Sequence, residues 1–280
     1  MATDQLPQIR RRPLSQRYPW LHPVAVSVHR ARRRLQWALS DADWATTRAP
    51  APLGFDVVEH ASPLLRQLEG AGDMQLQHNK VVNLRLAAAR IDGLLIRPGQ
   101  TFSFNRTVGS RVRRKGYIDG MGLADGRVVA DVGGGICQLA NLLHWMVLHA
   151  PLTVTERSEH SFDPFPDHER VLPWGVGCTI VDNYVDLAVR NDTELTFQLR
   201  AWVDDHHLRG ELRSDRPTPC TYVVEARDEE FVRGHDGVYR RNEIWRRALA
   251  RDTGEPVGEE LVRRNQARVV YEPDPSLIRD

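Results

Sequence analysis

The run from Leu139 to Leu148 constrains this chain more than any other. Leu139, Leu142, Leu143, Trp145, Met146, Val147 and Leu148 cover nearly every face of a helix. A helix that is apolar all round has no side to turn to water, so it belongs in a core. A membrane span needs ~20 apolar residues, and this run falls short. The rest of the fold must therefore be arranged around a buried helix.

What enters that helix is chemically distinctive. Asp131-Val132-Gly133-Gly134-Gly135-Ile136-Cys137-Gln138 brings three glycines straight into a cysteine at the helix mouth. Unpaired N–H groups and the macrodipole at a helix N-terminus favour a thiolate, the form that attacks carbonyls. Gly133, Gly134 and Gly135 permit a sharp turn and close approach of a substrate, and their N–H groups can form an anion-holding concavity. Gln138 adds an amide donor beside the thiol. His160 follows inside Glu156-Arg157-Ser158-Glu159-His160-Ser161 and is the candidate base. Asp186, or else Asp182, is the candidate to orient its imidazole. Free cysteine is also a common packing residue, and that reading stays open.

With 280 residues, 41% apolar and 27% charged, the chain describes an ordinary soluble protein of one large or two small domains. A formal net charge of +1 gives no pull toward nucleic acid, and no nucleic-acid partner is expected. Cys137, Cys178 and Cys220 are an odd number without close pairs, which argues against a disulfide framework. No apolar stretch of the secretory kind opens the chain, so the expected place is the cytoplasm, or its inner membrane surface. No cofactor and no metal site are expected. His144 lies about two turns, ~10 Å, beyond Cys137, too far to share one ion. His206 and His207 are adjacent and read as a turn.

The expected architecture is α+β: the buried helix against a mainly antiparallel sheet, an N-terminal helical segment and a β-rich C-terminal extension. Residues 1–52 form the first part. No acidic residue lies between Asp4 and Asp41, while Arg10, Arg11, Arg12, Arg17, Arg30, Arg32, Arg33 and Arg34 supply cations. Val24, Val28, Ala31 and Leu35 recur at helical spacing, with Trp20 and Trp37 nearby. Such a helix fits either its own domain, with arginines in water, or peripherally an anionic membrane. Ala49 to Gly54 reads as a linker and residues 60–72 as a short helix or turn. Lys80 to Ile91 is a helix; Leu94–Ile96 and Thr101–Phe104 are strands around Arg97-Pro98-Gly99. A glycine-punctuated loop leads to a strand at Arg127-Val128-Val129. Leu152–Thr155, Cys178–Val181 and Tyr184–Val189 read as strands, and alternation from Tyr184 to Leu212 predicts an antiparallel meander turning at Asp204–His207. Residues 216–280 carry further strands, with turns at His235-Asp236-Gly237 and Thr253-Gly254.

Several motifs together resemble the VanW family. They are Asn83-Leu84-Arg85-Leu86-Ala87-Ala88-Ala89, Ile91-Asp92-Gly93, Arg97 through Phe104, Gly133 through Gln138, Glu156-Arg157 with His160-Ser161, and Asp186-Leu187 with Arg190 through Thr193. The resemblance covers about residues 75–215 and extends to Arg12-Pro13-Leu14-Ser15 and Arg17-Tyr18-Pro19. It implies a cell-envelope setting linked to glycopeptide resistance, and it does not fix a reaction. At Gly177-Cys178 the chain departs from an Asp-Ala pair that many relatives show there. The order Cys137, His160, Asp also resembles the plan of transglutaminase- and papain-type thiol enzymes. Two readings follow. In one, Cys137 attacks an amide or ester of a peptidoglycan precursor or related peptide, with Gly133, Gly134, Gly135 and Gln138 binding substrate. In the other, the region is a non-catalytic ligand-binding or structural module.

Overall fold

A computed structural model describes residues 22–65, 74–124, 127–159, 162–163 and 172–279. The chain divides into two compact units, Met1–Asp41 and Ala42–Asp280. In the first unit, His22–Ala38 is a helix (α1), with Pro23 in its first turn, where a missing N–H costs nothing. Among the described residues no helix is long and apolar enough to cross a membrane.

The second unit is α+β. In chain order it contains β1 (Phe55–Pro63), α2 (Met74–Ile91), β2 (Leu94–Ile96), β3 (Thr101–Ser103), α3 (Phe104–Val108), β4 (Asp119–Ala124) and β5 (Arg127–Val132). Then follow α4 (Cys137–Leu148), β6 (Thr153–Glu156), β7 (Phe162–Asp163), β8 (Ala188–Arg190), β9 (Phe197–Val203) and β10 (His207–Ser214). The chain ends with β11 (Cys220–Gly234), β12 (Gly237–Ala250), β13 (Pro256–Val269) and β14 (Ile278–Arg279).

The all-round apolar helix is buried as its composition requires. Leu139, Ala140, Leu142, Leu143, Met146 and Val147 of α4 are essentially without solvent. They pack on β1 and β10 of an antiparallel sheet ordered β1-β10-β9-β2. Gly210 of β10 lets the helix come close: a Cβ there would meet Met146 at 2.8 Å and Leu142 at 2.9 Å. α2 adds Leu84, Ala87, Ala88 and Ile91 to the same core. From β9 and β10 come Phe197, Leu199, Ala201, Leu208 and Leu212, as period-two alternation predicts. Their hairpin closes where Asp204 Oδ1 accepts the N–H groups of His206 (2.8 Å) and His207 (2.6 Å).

Three expectations change. Residues 184–212 are not one meander, because β8 lies in a separate sheet ordered β3-β8-β6. The chain leaves that sheet at buried Asn191, whose amide donates to Ile96 O (2.9 Å) and Leu195 O (2.6 Å). Alternation reports which face is buried, not which strand is the partner. Residues 60–63 are not helix or turn but the end of edge strand β1, where Pro63 needs no ladder N–H. The rest of that stretch includes residues outside the described ones. Cys178–Val181 is extended but pairs in no named strand.

β11, β12 and β13 form a long antiparallel sheet, joined at one edge by β7 running parallel to β13. Its charges pair across strands: Arg227 with Glu259, Arg246 with Glu260, Arg264 with Glu243. Arg240 pairs in the same way with Asp163 and Glu229 but is buried, 1% exposed beside the rings of Trp174 and Phe231.

Candidate functional site

The glycine turn is a socket for the mouth of α4. Gly133 (φ +80°) and Gly135 (φ +94°) lie in the left-handed region, where glycine alone is unstrained. Gly134 lies against the backbone of Gly120 in β4; a Cβ on it would come 2.5 Å from that carbonyl. A Cβ on Gly133 would strike Arg111, and one on Gly135 would strike Lys80. Asn83 of α2 clamps the arrangement. Its amide donates to Ile118 O and Gly134 O, both 3.0 Å, and its oxygen accepts Ile118 N–H at 3.0 Å.

Along α4, three polar side chains at i, i+4 and i+7 face an extended segment of the chain. The Cys137 thiol points at Ile180 O, 4.0 Å away. Asn141 Oδ1 accepts Cys178 N–H at 2.6 Å. His144 Nδ1 lies 2.8 Å from Val176 O. Alternate residues of an extended chain present their backbone to one side, and helix positions at this spacing share a face, so the two match. The helix thereby satisfies backbone groups that no sheet satisfies. Arg157 holds the other side, donating to Gly177 O (2.9 Å from Nε) and to Gly175 O. Asn242 of β12 donates to Trp174 O at 2.7 Å.

Burial governs the titratable groups here. It brings His144 down to about 3, with the Arg157 cation adding to the effect. The ring is therefore neutral and Nδ1–H is the donor to Val176. Burial pushes the fully enclosed Cys178 thiol up to about 12. Cys137 is half-buried, and burial raises its thiol too, against the opposing pull of an Ile180 backbone hydrogen bond that favours the thiolate and of the Arg111 cation. That guanidinium is almost enclosed, donating to Asn105 Oδ1 at 3.1 Å and lying 4.0 Å from Asp182.

A search against solved structures gives no match. The family model described as "VanW like protein" matches residues 79–213. The vancomycin B-type resistance protein VanW of Enterococcus faecalis is 34% identical over 261 residues, 93% of this chain and 94% of that protein. The chain belongs to the VanW family. An uncharacterized Bacillus subtilis protein, YoaR, is 38% identical over 96 residues, 33% of this chain and 32% of its own length. The VanW match takes in α2 from residue 79 onward, the glycine turn, α4 and the 176–180 segment, and ends before β11.

Within this VanW fold the residues singled out from sequence sit as follows. His160 lies outside the described residues; the carboxylate of its neighbour Glu159 accepts from Arg263 at 3.1 Å. Asp186 is buried at the start of α3, where its carboxylate accepts from Ser103 Oγ (2.5 Å), Asn105 N (2.8 Å) and Leu187 N (2.9 Å). Gln138 turns to β1 and donates to Ser62 Oγ (2.9 Å) and Pro63 O (2.8 Å). Sequence reasoning misses Arg111 and Asn141. Asn141 is findable as the polar position between Cys137 and His144 on an apolar helix, whereas nothing in sequence places Arg111 beside the thiol. Among the described residues no group of three or more His, Cys, Asp or Glu could hold a metal ion.

Proposed function

We propose that this chain takes part in vancomycin resistance, the role that the name of its Enterococcus faecalis relative states, through thiol chemistry at Cys137. In this reading the Cys137 sulfur attacks an amide or ester carbonyl of a peptidoglycan-related peptide. His160 takes the thiol proton and passes it to the departing amine or alcohol. Water or an acceptor amine then releases the acyl group from sulfur.

The observation that carries the reading is one shared segment. Cys137 leans on Ile180 O, and Thr179 N–H bonds Ser158 O at 2.8 Å, two residues before His160. The thiol and Ser158 thus contact two neighbouring residues of one segment, Ile180 and Thr179. Because burial raises the thiol, a neighbouring base is required for attack at neutral pH. The three free cysteines fit a reducing compartment, and we place the activity on the cytoplasmic side.

The test is glycopeptide susceptibility of a strain carrying the wild-type gene, Cys137→Ala or Cys137→Ser, together with iodoacetamide labelling of the purified chain across pH. Loss of resistance in both variants, and a neutral-pH labelling rate that His160→Ala lowers, support the reading. Full resistance with Cys137→Ala removes it.

The alternative, a non-catalytic ligand-binding or structural module, has its own supporting observation. Gln138 and Asp186 already make structural hydrogen bonds, and Cβ space at the three glycines is filled by Arg111, Gly120 and Lys80. Retained resistance with Cys137→Ala is what this alternative requires.

A further inference from the structure

Helix α1 carries a surface that the thiol chemistry does not use. At about 100° per residue, Val24, Val28, Ala31, Leu35 and Ala38 fall on one stripe about 80° wide, and Leu39 follows just past the helix end, its N–H still bonded to Leu35 O. The stripe is open: Val24 is 58% exposed, Val28 60%, Leu35 58% and Leu39 73%. Arg32 and Arg34 stand about 80° to either side of Val24, so an exposed guanidinium borders each edge of the stripe. Arg33 and Trp37 lie on the opposite side, with the guanidinium 5.9 Å from the indole centre. No acidic side chain falls anywhere between Asp4 and Asp41.

We propose that α1 lies on a phospholipid surface of net negative charge, stripe downward, with Arg32 and Arg34 reaching to the headgroups on either side. An apolar stripe with long cations at its edges matches the acyl–headgroup boundary: the side-chain stems lie along apolar surface while the guanidiniums meet phosphate. The uninterrupted positive charge selects anionic over neutral lipid. A helix of 17 residues carrying four arginines lies in that boundary and does not span it. This inference stands apart from the role of Cys137, and neither depends on the other.

Co-sedimentation of the full chain with vesicles tests it, using phosphatidylcholine alone and phosphatidylcholine mixed with phosphatidylglycerol. Wild type should bind the mixed vesicles, spare the neutral ones, and release as salt is raised. Arg32→Gln with Arg34→Gln should weaken binding about tenfold or more. Val28→Asp with Leu35→Asp should abolish it while the circular dichroism and thermal transition stay unchanged. Equal binding to both vesicle types, no binding at low salt, or unaltered binding by both double variants overturns the inference. If wild type ignores vesicles while Val28→Asp/Leu35→Asp changes the mass seen by light scattering, the stripe serves self-association. If that variant instead lowers the thermal transition, the stripe packs on the chain's own fold. Either result also overturns the inference.

Discussion

The side-chain oxygen of Asn141 accepts the backbone N–H of Cys178 at 2.6 Å. Its neighbours on the same helix face, Cys137 and His144, meet Ile180 O and Val176 O. The extended segment 176–180 is held to α4 by side chains where a sheet would have used backbone. Asn141→Leu keeps the volume, removes the acceptor and leaves the Cys178 N–H unpaired. An unpaired buried donor costs about 1–3 kcal/mol. Urea unfolding should show a loss in that range, and Asn141→Asp, which keeps an acceptor, should lose less.

The same ladder makes stability depend on pH through His144. Its folded value is about 3, against about 6.5 for an unperturbed imidazole. The folded state therefore binds fewer protons than the unfolded state between those values, and stability rises with pH across that window. The contribution is fully present above about pH 6.5, is lost progressively on acidification, and levels off below about pH 3. His60 and His149 are also lowered by burial and add to the slope. The informative quantity is thus the difference between wild type and His144→Gln, which cannot titrate. Denaturation at stepped pH should show that difference shrinking by a few kcal/mol from pH 7 toward pH 4. A constant difference would mean that the ring is hydrated.

Asp186, the sequence's candidate partner of a catalytic imidazole, accepts three hydrogen bonds at the start of α3. Asp186→Ala strands Ser103 Oγ and two backbone N–H groups in a site 1% exposed to solvent. The expected outcome is a loss of several kcal/mol, summing terms of about 1–3 kcal/mol each, measured by thermal or chemical unfolding. Unchanged stability together with lost resistance would assign Asp186 a part in the chemistry.

Much of this is legible before any coordinates. The all-round apolarity of Leu139–Leu148 requires burial, and alternation over Phe197, Leu199 and Ala201 predicts a strand and its inward face. Both signals are local and physical. The partner of β8 is not legible, because Val189 is buried whichever strand lies beside it. Nor is the 176–180 segment, whose extended pattern resembles a strand although α4 supplies its partners. Gly133, Gly134 and Gly135 announce a tight turn, but what fills the space at each is Arg111, Gly120 and Lys80, which the local sequence does not reveal.

The glycines of this chain differ sharply by position. Gly134→Ala drives a methyl to 2.5 Å from the Gly120 backbone, which cannot swing aside as a side chain can. Overpacking of this kind costs about 1–3 kcal/mol or more. Gly54→Ala has nothing within 4 Å and should be neutral within about 0.5 kcal/mol. Paired thermal melts of the two variants would check both the socket and the assay.

The reactivity of the thiols follows from their surroundings. Cys178 is fully enclosed and pushed up to about 12, so it should resist iodoacetamide in the folded chain at neutral pH. Cys137 is half-buried and has the Arg111 cation opposing the effect of burial, so it should label faster than Cys178. Arg111→Met retains a stem to pack on Gly133 while deleting the charge. The Cys137 thiol should then titrate higher, and its labelling at a fixed neutral pH should slow. Arg111→Lys keeps a cation and should slow it less, although a point charge cannot keep the geometry of the Asn105 contact. A uniform slowing of Cys137 and Cys220 would point to altered folding. Slowing confined to Cys137, with the unfolding transition unchanged, assigns the effect to the charge. Equal rates for Arg111→Met and wild type would mean that solvent screens the guanidinium from the sulfur.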